Sequence, residues 1–185
     1  MRIAYKGFNS KLCARLGRGT YQFEIGKTAK EEKADCARTG FHCAEEPFDV
    51  LDYYGATSDR YCIVAPGGDV HEDAYGSRIS CTELTLVKEI SRRELAIEEC
   101  KFLYEHPHRK YSNRVKKDKG EADCYFVLVR GKKPKAKGKK GTVLLLLREE
   151  PDNCEIAEVG IYEVDGKEIK ADVYYGIDGK AAKDD

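Results

Sequence analysis

The residues with the clearest chemical potential in this chain are basic, and they are concentrated in two segments. Residues 109–119 and 130–140 contain thirteen basic residues and one aspartate, a net charge of +12 in a chain whose total is zero. Clustered lysines and arginines attract phosphate groups and release counterions. The segments therefore predict a macromolecule-binding surface made of Arg109, Lys110, Arg114, Lys116, Lys117, Arg130, Lys132, Lys133, Lys135, Lys137, Lys139 and Lys140.

Both basic segments precede a predicted strand, and adjacent strands would place them at the same end of a sheet. The expected partner is a host protein or a nucleic acid. Tyr111 is the only aromatic residue in the two segments, so sequence-specific recognition of single strands is not indicated. The alternative interpretation is a solvated hairpin whose lysines protect a sheet edge from association.

Residue spacings typical of catalysis or metal binding are scarce. The eight cysteines occur singly, without a CxxC pair, so we expect reduced and mostly buried thiols rather than a zinc site or a disulfide framework. Cys43 follows His42, but neighbours on a strand point to opposite faces and would not pair as nucleophile and base. No metal site is expected, because His71 and the two acids after it supply too few rigid ligands.

Glu83 is the remaining candidate for acid chemistry. It lies within the predicted strand 80–90, where a carboxylate faces either solvent or a cleft. A solvent-facing position on an alternating strand is the simpler interpretation, and the sequence leaves both open.

The elements that must position these residues indicate an α+β fold with mostly antiparallel sheet and two short helices. Phe48, Leu51 and Tyr54 recur at three-residue steps after Pro47, which predicts a short helix. Ser91 precedes Glu94 at the capping-box spacing and predicts a second helix that Pro107 ends. Loops are expected at 9–20 and 131–141, and a hairpin around 165–167. Strands are predicted at 2–8, 21–26, 41–43, 60–64, 80–90, 124–130, 142–148, 155–164 and 169–175.

The predicted organisation is an α+β part at 1–106, a basic joint at 107–122 and a β-rich part at 123–185. No apolar run approaches the roughly 18 residues of a membrane span. The first residues also lack the apolar core of a secretion signal. We therefore expect no membrane partner and a cytoplasmic location.

Several segments resemble an uncharacterised family of phage and prophage proteins. They are AYKGF (4–8), YQFEIGKT (21–28), GFHCAEEPFDVLDYY (40–54), RYCIV (60–64), LTLVKEIS (84–91), KAKGKKG (135–141) and VDGKEIKADVYYGIDGK (164–180). Members of that family often carry an Ala-Thr-Gly-rich repeat in the middle, where this chain has its basic region. The resemblance implies a non-enzymatic accessory protein, without a cofactor, in the cytoplasm of an infected or lysogenic bacterium.

The order of elements in the N-terminal part also resembles the ADP-ribosyltransferase fold. That resemblance implies an alternative function, an enzyme that uses NAD. Lys6 would contact the dinucleotide at a position where the family has Arg or His, Tyr54 would lie against the nicotinamide, and Glu83 would bind the ribose hydroxyl.

Overall fold

The computed structural model describes residues 2–16, 19–36, 38–54, 60–74, 76–109 and 113–184. It confirms an α+β fold with mostly antiparallel sheet and two short helices in the described part. The chain divides into two compact units, Met1–Ser91 and Arg92–Asp185. The division lies earlier than the predicted one near residue 106, so the second helix belongs to the C-terminal unit.

The strands of the N-terminal unit form a closed ring. In the ring, β7 (Arg78–Ile90), β5 (Phe41–Ala44), β1 (Ala4–Phe8) and β6 (Arg60–Glu72) pair antiparallel in that order, and β6 pairs with β7 to close it. The unit's elements are β1 (Ala4–Phe8), β2 (Cys13–Leu16), β3 (Gly19–Gln22), β4 (Thr28–Lys30), β5 (Phe41–Ala44), a 3-10 turn (Pro47–Asp49), α1 (Val50–Tyr54), β6 (Arg60–Glu72) and β7 (Arg78–Ile90). The turn and α1 confirm the predicted short helix.

An aromatic cluster fills the core of this unit. The ring of Phe23 lies edge-on to Phe8 and Phe41, with centroids 5.1 and 5.5 Å away, the arrangement that aromatic quadrupoles favour. Phe23 follows β3 directly, so the strand predicted at 21–26 ends early. The predicted loop at 9–20 is also wrong, because it contains β2 and the start of β3.

The strand predicted at 60–64 is longer than expected, because β6 continues through residues 66–69 as a bulge. The register with β7 shifts between Gly67 and Val70, and the Asp69 amide donates to Thr82 Oγ1 at 2.8 Å. Gly68 has φ +68°, and a Cβ there would lie 2.2 Å from Thr82 Oγ1. Glycine is the residue that permits this close approach.

The C-terminal unit contains a helix that packs against the strands Phe126–Gly138, Val143–Glu149 and Ile156–Glu163. Its elements are α2 (Arg92–Glu105), β8 (Val115–Ala122), β9 (Phe126–Gly138), β10 (Val143–Glu149), β11 (Ile156–Glu163) and β12 (Tyr175–Gly176). The predicted joint thus contains β8, and the predicted loop 131–141 is largely strand. The predicted hairpin around 165–167 is also wrong, because no strand forms at 169–174 and β12 pairs with β9. The Asp165 carboxylate accepts the amides of Lys167 and Ile169 at the turn.

Strands β8, β9 and β10 are parallel neighbours joined by short links, and this forces β8 and β9 to fold back. A straight β9 of thirteen residues would be about 43 Å long. Val143, however, pairs with Phe126 at the start of β9, and the link from Gly138 to Val143 spans at most about 18 Å. Strand β9 therefore bends midway and returns, as in the coils of a parallel β-helix. Strand β8 bends in the same place, where the register shifts between Lys117 and Lys119.

The interior of these coils is small and apolar. Val127, Val129, Ala136, Leu144 and Leu146 belong to one buried cluster. A Cβ at Gly120 would lie 2.7 Å from Val129 Cγ2 and 2.9 Å from Val127 Cγ2. The coil can close at this point because residue 120 has no side chain.

We expect Gly120→Ala to destabilise the protein by about 1–3 kcal/mol, because the added methyl overpacks the coil interior. Urea denaturation followed by circular dichroism measures the change. Gly76→Ala is the control, since its nearest neighbour would lie 3.9 Å from the new Cβ. Equal unfolding midpoints for the two variants would show that the coil interior tolerates a methyl group at residue 120.

Candidate polyanion-binding surface

The bends of β8 and β9 place two basic turns side by side. We call residues 116–119 and 131–134 the stacked basic turns. Lys117 pairs with Arg130 before the bend and Lys119 pairs with Lys135 after it, so the residues between them are adjacent. A Cβ on Gly131 would lie 2.0 Å from Asp118 Oδ1, which shows how closely the turns approach. The exposed lysines of the turns are Lys116, Lys117, Lys119, Lys132 and Lys133.

Three further cationic contacts converge on one tyrosine ring beside these turns. The ammonium groups of Lys119 and Lys137 lie 4.8 Å from the Tyr174 ring centroid, and that of Lys135 lies 5.8 Å away. Tyr174 is 7% exposed. The negative face of the ring favours cations at these distances and holds the three lysines together. We call Lys119, Lys135 and Lys137 around this ring the tyrosine-backed lysines.

Carboxylates neutralise part of the positive charge that the sequence concentrates here. Lys119 pairs with Asp184 at 2.5 Å, Lys137 with Glu121 at 3.0 Å and Lys139 with Asp172 at 2.8 Å. The ion pair holds the pKa of Lys119 above its usual range. Within residues 2–16, 19–36, 38–54, 60–74, 76–109 and 113–184, no hydrogen bond or ion pair of the Lys132 or Lys133 side chain is found. These two lysines are thus the strongest candidates to bind an external anion.

Arg130 is not part of the surface, and its prediction as a binding residue is wrong. Its side chain is fully buried, and its Nε donates to Glu149 Oε1 at 2.5 Å. Its Nη2 donates to the carbonyl oxygens of Cys154, at 2.8 Å, and Pro107. A planar guanidinium can satisfy these separate acceptors at once, which suits it to a structural role here.

We expect Arg130→Met to lower the free energy of unfolding by about 3 kcal/mol, because the buried Glu149 carboxylate would lose its cation. Thermal and urea denaturation measure this. The control Lys132→Met, on an exposed position of the same strand, should change stability by no more than about 0.5 kcal/mol. An Arg130→Met variant as stable as the control would contradict the structural role of the buried pair.

The other predicted binding residues lie apart from the stacked basic turns or outside the described residues. Lys139 and Lys140 follow β9 at its far end, and Lys140 Cδ lies 3.8 Å from where a Cβ on Gly166 would be. The Arg109 guanidinium lies 5.5 Å from the Phe102 ring. Arg114 is exposed just before β8. Lys110 lies outside the described residues.

The structure does not bring the predicted transferase residues together. Lys6 is 2% exposed, shares a strand face with the core residues Ala4 and Phe8, and donates to the His42 carbonyl oxygen. Glu83 is partly exposed and pairs with Lys30 at 2.8 Å, which agrees with the solvent-facing interpretation. The positions of Lys6 and Glu83 are separated by five residues along β6, about 17 Å. Tyr54 ends α1, and its side chain lies outside the described part.

The thiols offer no exposed nucleophile paired with a base in the described chain. None of the eight cysteines, all of which lie in the described residues, forms a disulfide, and Cys43, Cys62, Cys81 and Cys100 are buried. Burial raises the pKa of Cys62 to about 12. The Cys81 thiol and burial raise the pKa of Cys43. Since the thiolate is the reactive form, Cys43 and Cys62 are unreactive near neutral pH.

Sequence reasoning missed two residues of this surface, Tyr174 and Asp184. Tyr174 fell within a predicted strand, and Asp184 lies beyond the last predicted element. The sequence contains a usable signal for Asp184, because a short acidic stretch at 184–185 follows the two basic segments and could pair with them. Its specific partner, Lys119, is 65 residues away, and only the tertiary structure identifies it.

Comparison with known proteins yields one family. The family model described as a domain of unknown function (DUF7666) matches residues 2–98. Neither a curated protein nor a solved structure matches the chain. None of the helices in the described residues is long and apolar enough to cross a membrane.

Proposed function

The chain belongs to the DUF7666 family, and we propose that it is a non-enzymatic protein that binds nucleic acid through the stacked basic turns. The observation that supports this most directly is the register of β8 and β9, which sets Lys117 and Lys119 beside Lys132 and Lys133. The resemblance to phage and prophage proteins supports a role in the cytoplasm of an infected or lysogenic bacterial host.

The chemistry of the turns suits a phosphate backbone better than a protein surface. Their exposed charge is almost entirely lysine, with Asp118 as the only acid. Lysine is a flexible point charge that follows an irregular row of phosphates, and it lacks the fixed fork with which arginine recognises one carboxylate. Affinity in such a complex comes from neutralising phosphates and is independent of base sequence.

The absence of an accessible ring in the turns supports double-stranded rather than single-stranded nucleic acid. Residues 116–119 and 131–134 contain no aromatic residue. Tyr174 lies under the tyrosine-backed lysines and is almost fully buried. Stacking on exposed rings is what favours single strands. We therefore propose duplex binding through backbone contacts.

The salt dependence of binding follows from the number of phosphates neutralised. Four contacts, from Lys117, Lys119, Lys132 and Lys133, give a slope of about −3.6 in log affinity against log salt concentration. The affinity should then fall about 150-fold between 50 and 200 mM salt. A protein partner that buries an apolar interface would show a much weaker dependence.

Lys132→Gln/Lys133→Gln should weaken binding to a 20-base-pair duplex and reduce the magnitude of the salt slope by about 2, because two phosphate contacts are lost. Fluorescence anisotropy at several salt concentrations measures both effects.

The matched control is Lys11→Gln/Lys33→Gln, which removes the same charge from two exposed positions of the N-terminal unit. This control should retain the wild-type slope. Three results would count against the proposal: no duplex binding at 50 mM salt, equal effects of the two double variants, or capture of a protein partner that the Lys132→Gln/Lys133→Gln variant still binds.

A further inference from the structure

The segment 181–184 lies on the basic face of the C-terminal unit. The Ala182 amide donates to the Tyr174 carbonyl oxygen at 2.8 Å, and Ala181 forms a β-bridge with Tyr175. Lys135 Nζ donates to the Lys183 carbonyl oxygen at 2.8 Å. These contacts carry the segment across the tyrosine-backed lysines.

The Asp184 carboxylate contacts the tyrosine-backed lysines as the anionic group of a ligand would. Lys119 Nζ lies 2.5 Å from Asp184 Oδ1 and also donates to the Asp184 carbonyl oxygen at 3.1 Å. Lys119 lowers the pKa of the Asp184 carboxyl most, followed by the more distant Lys137 and Lys135. Three cations thus act on one carboxylate, above a ring that fixes their positions.

We infer that the tyrosine-backed lysines form a second anion subsite, for a phosphate of the duplex, which Asp184 occupies until the ligand displaces it. This inference rests on the proposed nucleic-acid binding. The subsite adjoins the stacked basic turns because Lys119 belongs to both, and Lys135 directly follows the turn at 131–134. A duplex backbone that lies across the turns therefore reaches Lys119 and competes with Asp184 for it.

The contacts of Asp184 are weak enough to be displaced. Its side chain is 68% exposed and that of Lys119 is 38% exposed. An exposed ion pair of this kind changes an equilibrium by up to about fivefold. Glu121, on β8, pairs with Lys137 at 3.0 Å and is a second carboxylate beside these lysines.

Asp184→Asn should raise the affinity for the 20-base-pair duplex about fivefold at 100 mM salt, because the competing carboxylate is removed. Glu32→Gln is the matched control: it removes one negative charge from an exposed position of the N-terminal unit and should leave the affinity unchanged. Adding Lys119→Gln to Asp184→Asn should then lower the affinity below that of Asp184→Asn alone.

A second measurement follows the segment directly. In the ¹⁵N–¹H spectrum of the full chain, saturating duplex should move the amide signals of Lys183 and Asp184 in the wild type. If the wild type binds duplex but Asp184→Asn has the same affinity and these signals stay in place, the subsite inference is wrong and the proposed function stands. If neither the wild type nor Asp184→Asn binds duplex, the proposed function itself fails, and the inference fails with it.

Discussion

The constraint on which the C-terminal unit depends is the combination of parallel pairing with short links. Parallel strands usually need a crossover of a dozen or more residues, often a helix. Here three residues join β8 to β9 and four join β9 to β10. The chain meets the constraint by folding β8 and β9 back on themselves, so the returning half of each of these two strands is part of the crossover. The bend of β8 is then stacked on the bend of β9.

This stacking brings like charges together, which costs stability unless other groups compensate. Lys119 and Lys135 lie directly opposite each other on neighbouring strands, an arrangement that destabilises a sheet when both residues carry the same charge. The Tyr174 ring, the Asp184 carboxylate and the Lys183 carbonyl oxygen offset the repulsion at this pair. Lys132 and Lys133, in the bend itself, are instead exposed to water, whose high dielectric constant weakens their repulsion.

Local signals predicted the parts of the fold that local interactions determine. The helix Arg92–Glu105 lies between Ser91 and Pro107 as expected, and the aliphatic run at 143–149 is a buried strand. The bends were missed because they depend on register between segments with no fixed period. Residues 115 and 128 pair at an offset of 13, whereas residues 126 and 143 pair at an offset of 17. Stacking of this kind leaves no visible sequence repeat.

The site residues show the same difference between local signals and tertiary contacts. The concentration of lysine at 116–119 and 132–133 was visible, because it requires only the sequence. The burial of Arg130 was not, because nothing in a run of basic residues distinguishes the one that meets Glu149, nineteen positions later at the end of the next strand. A strand was predicted at 124–130, but Arg130 was grouped with the basic residues of the loop expected at 131–141, and its side chain was therefore assigned to the surface.

The division into two units follows the extent of the family match closely. The family match covers residues 2–98, which comprise nearly all of the N-terminal unit and half of α2, while both stacked basic turns lie outside it. Each coil of a β-helix contacts only its neighbouring coils. The sequence of the coils, or the number of coils, can therefore change without disturbing a separate compact unit. Gly120 and Ala136 fill the narrow interior of the coils, while the lysines of the stacked basic turns lie on the outside. The exposed residues can therefore change without a change in the packing of the interior.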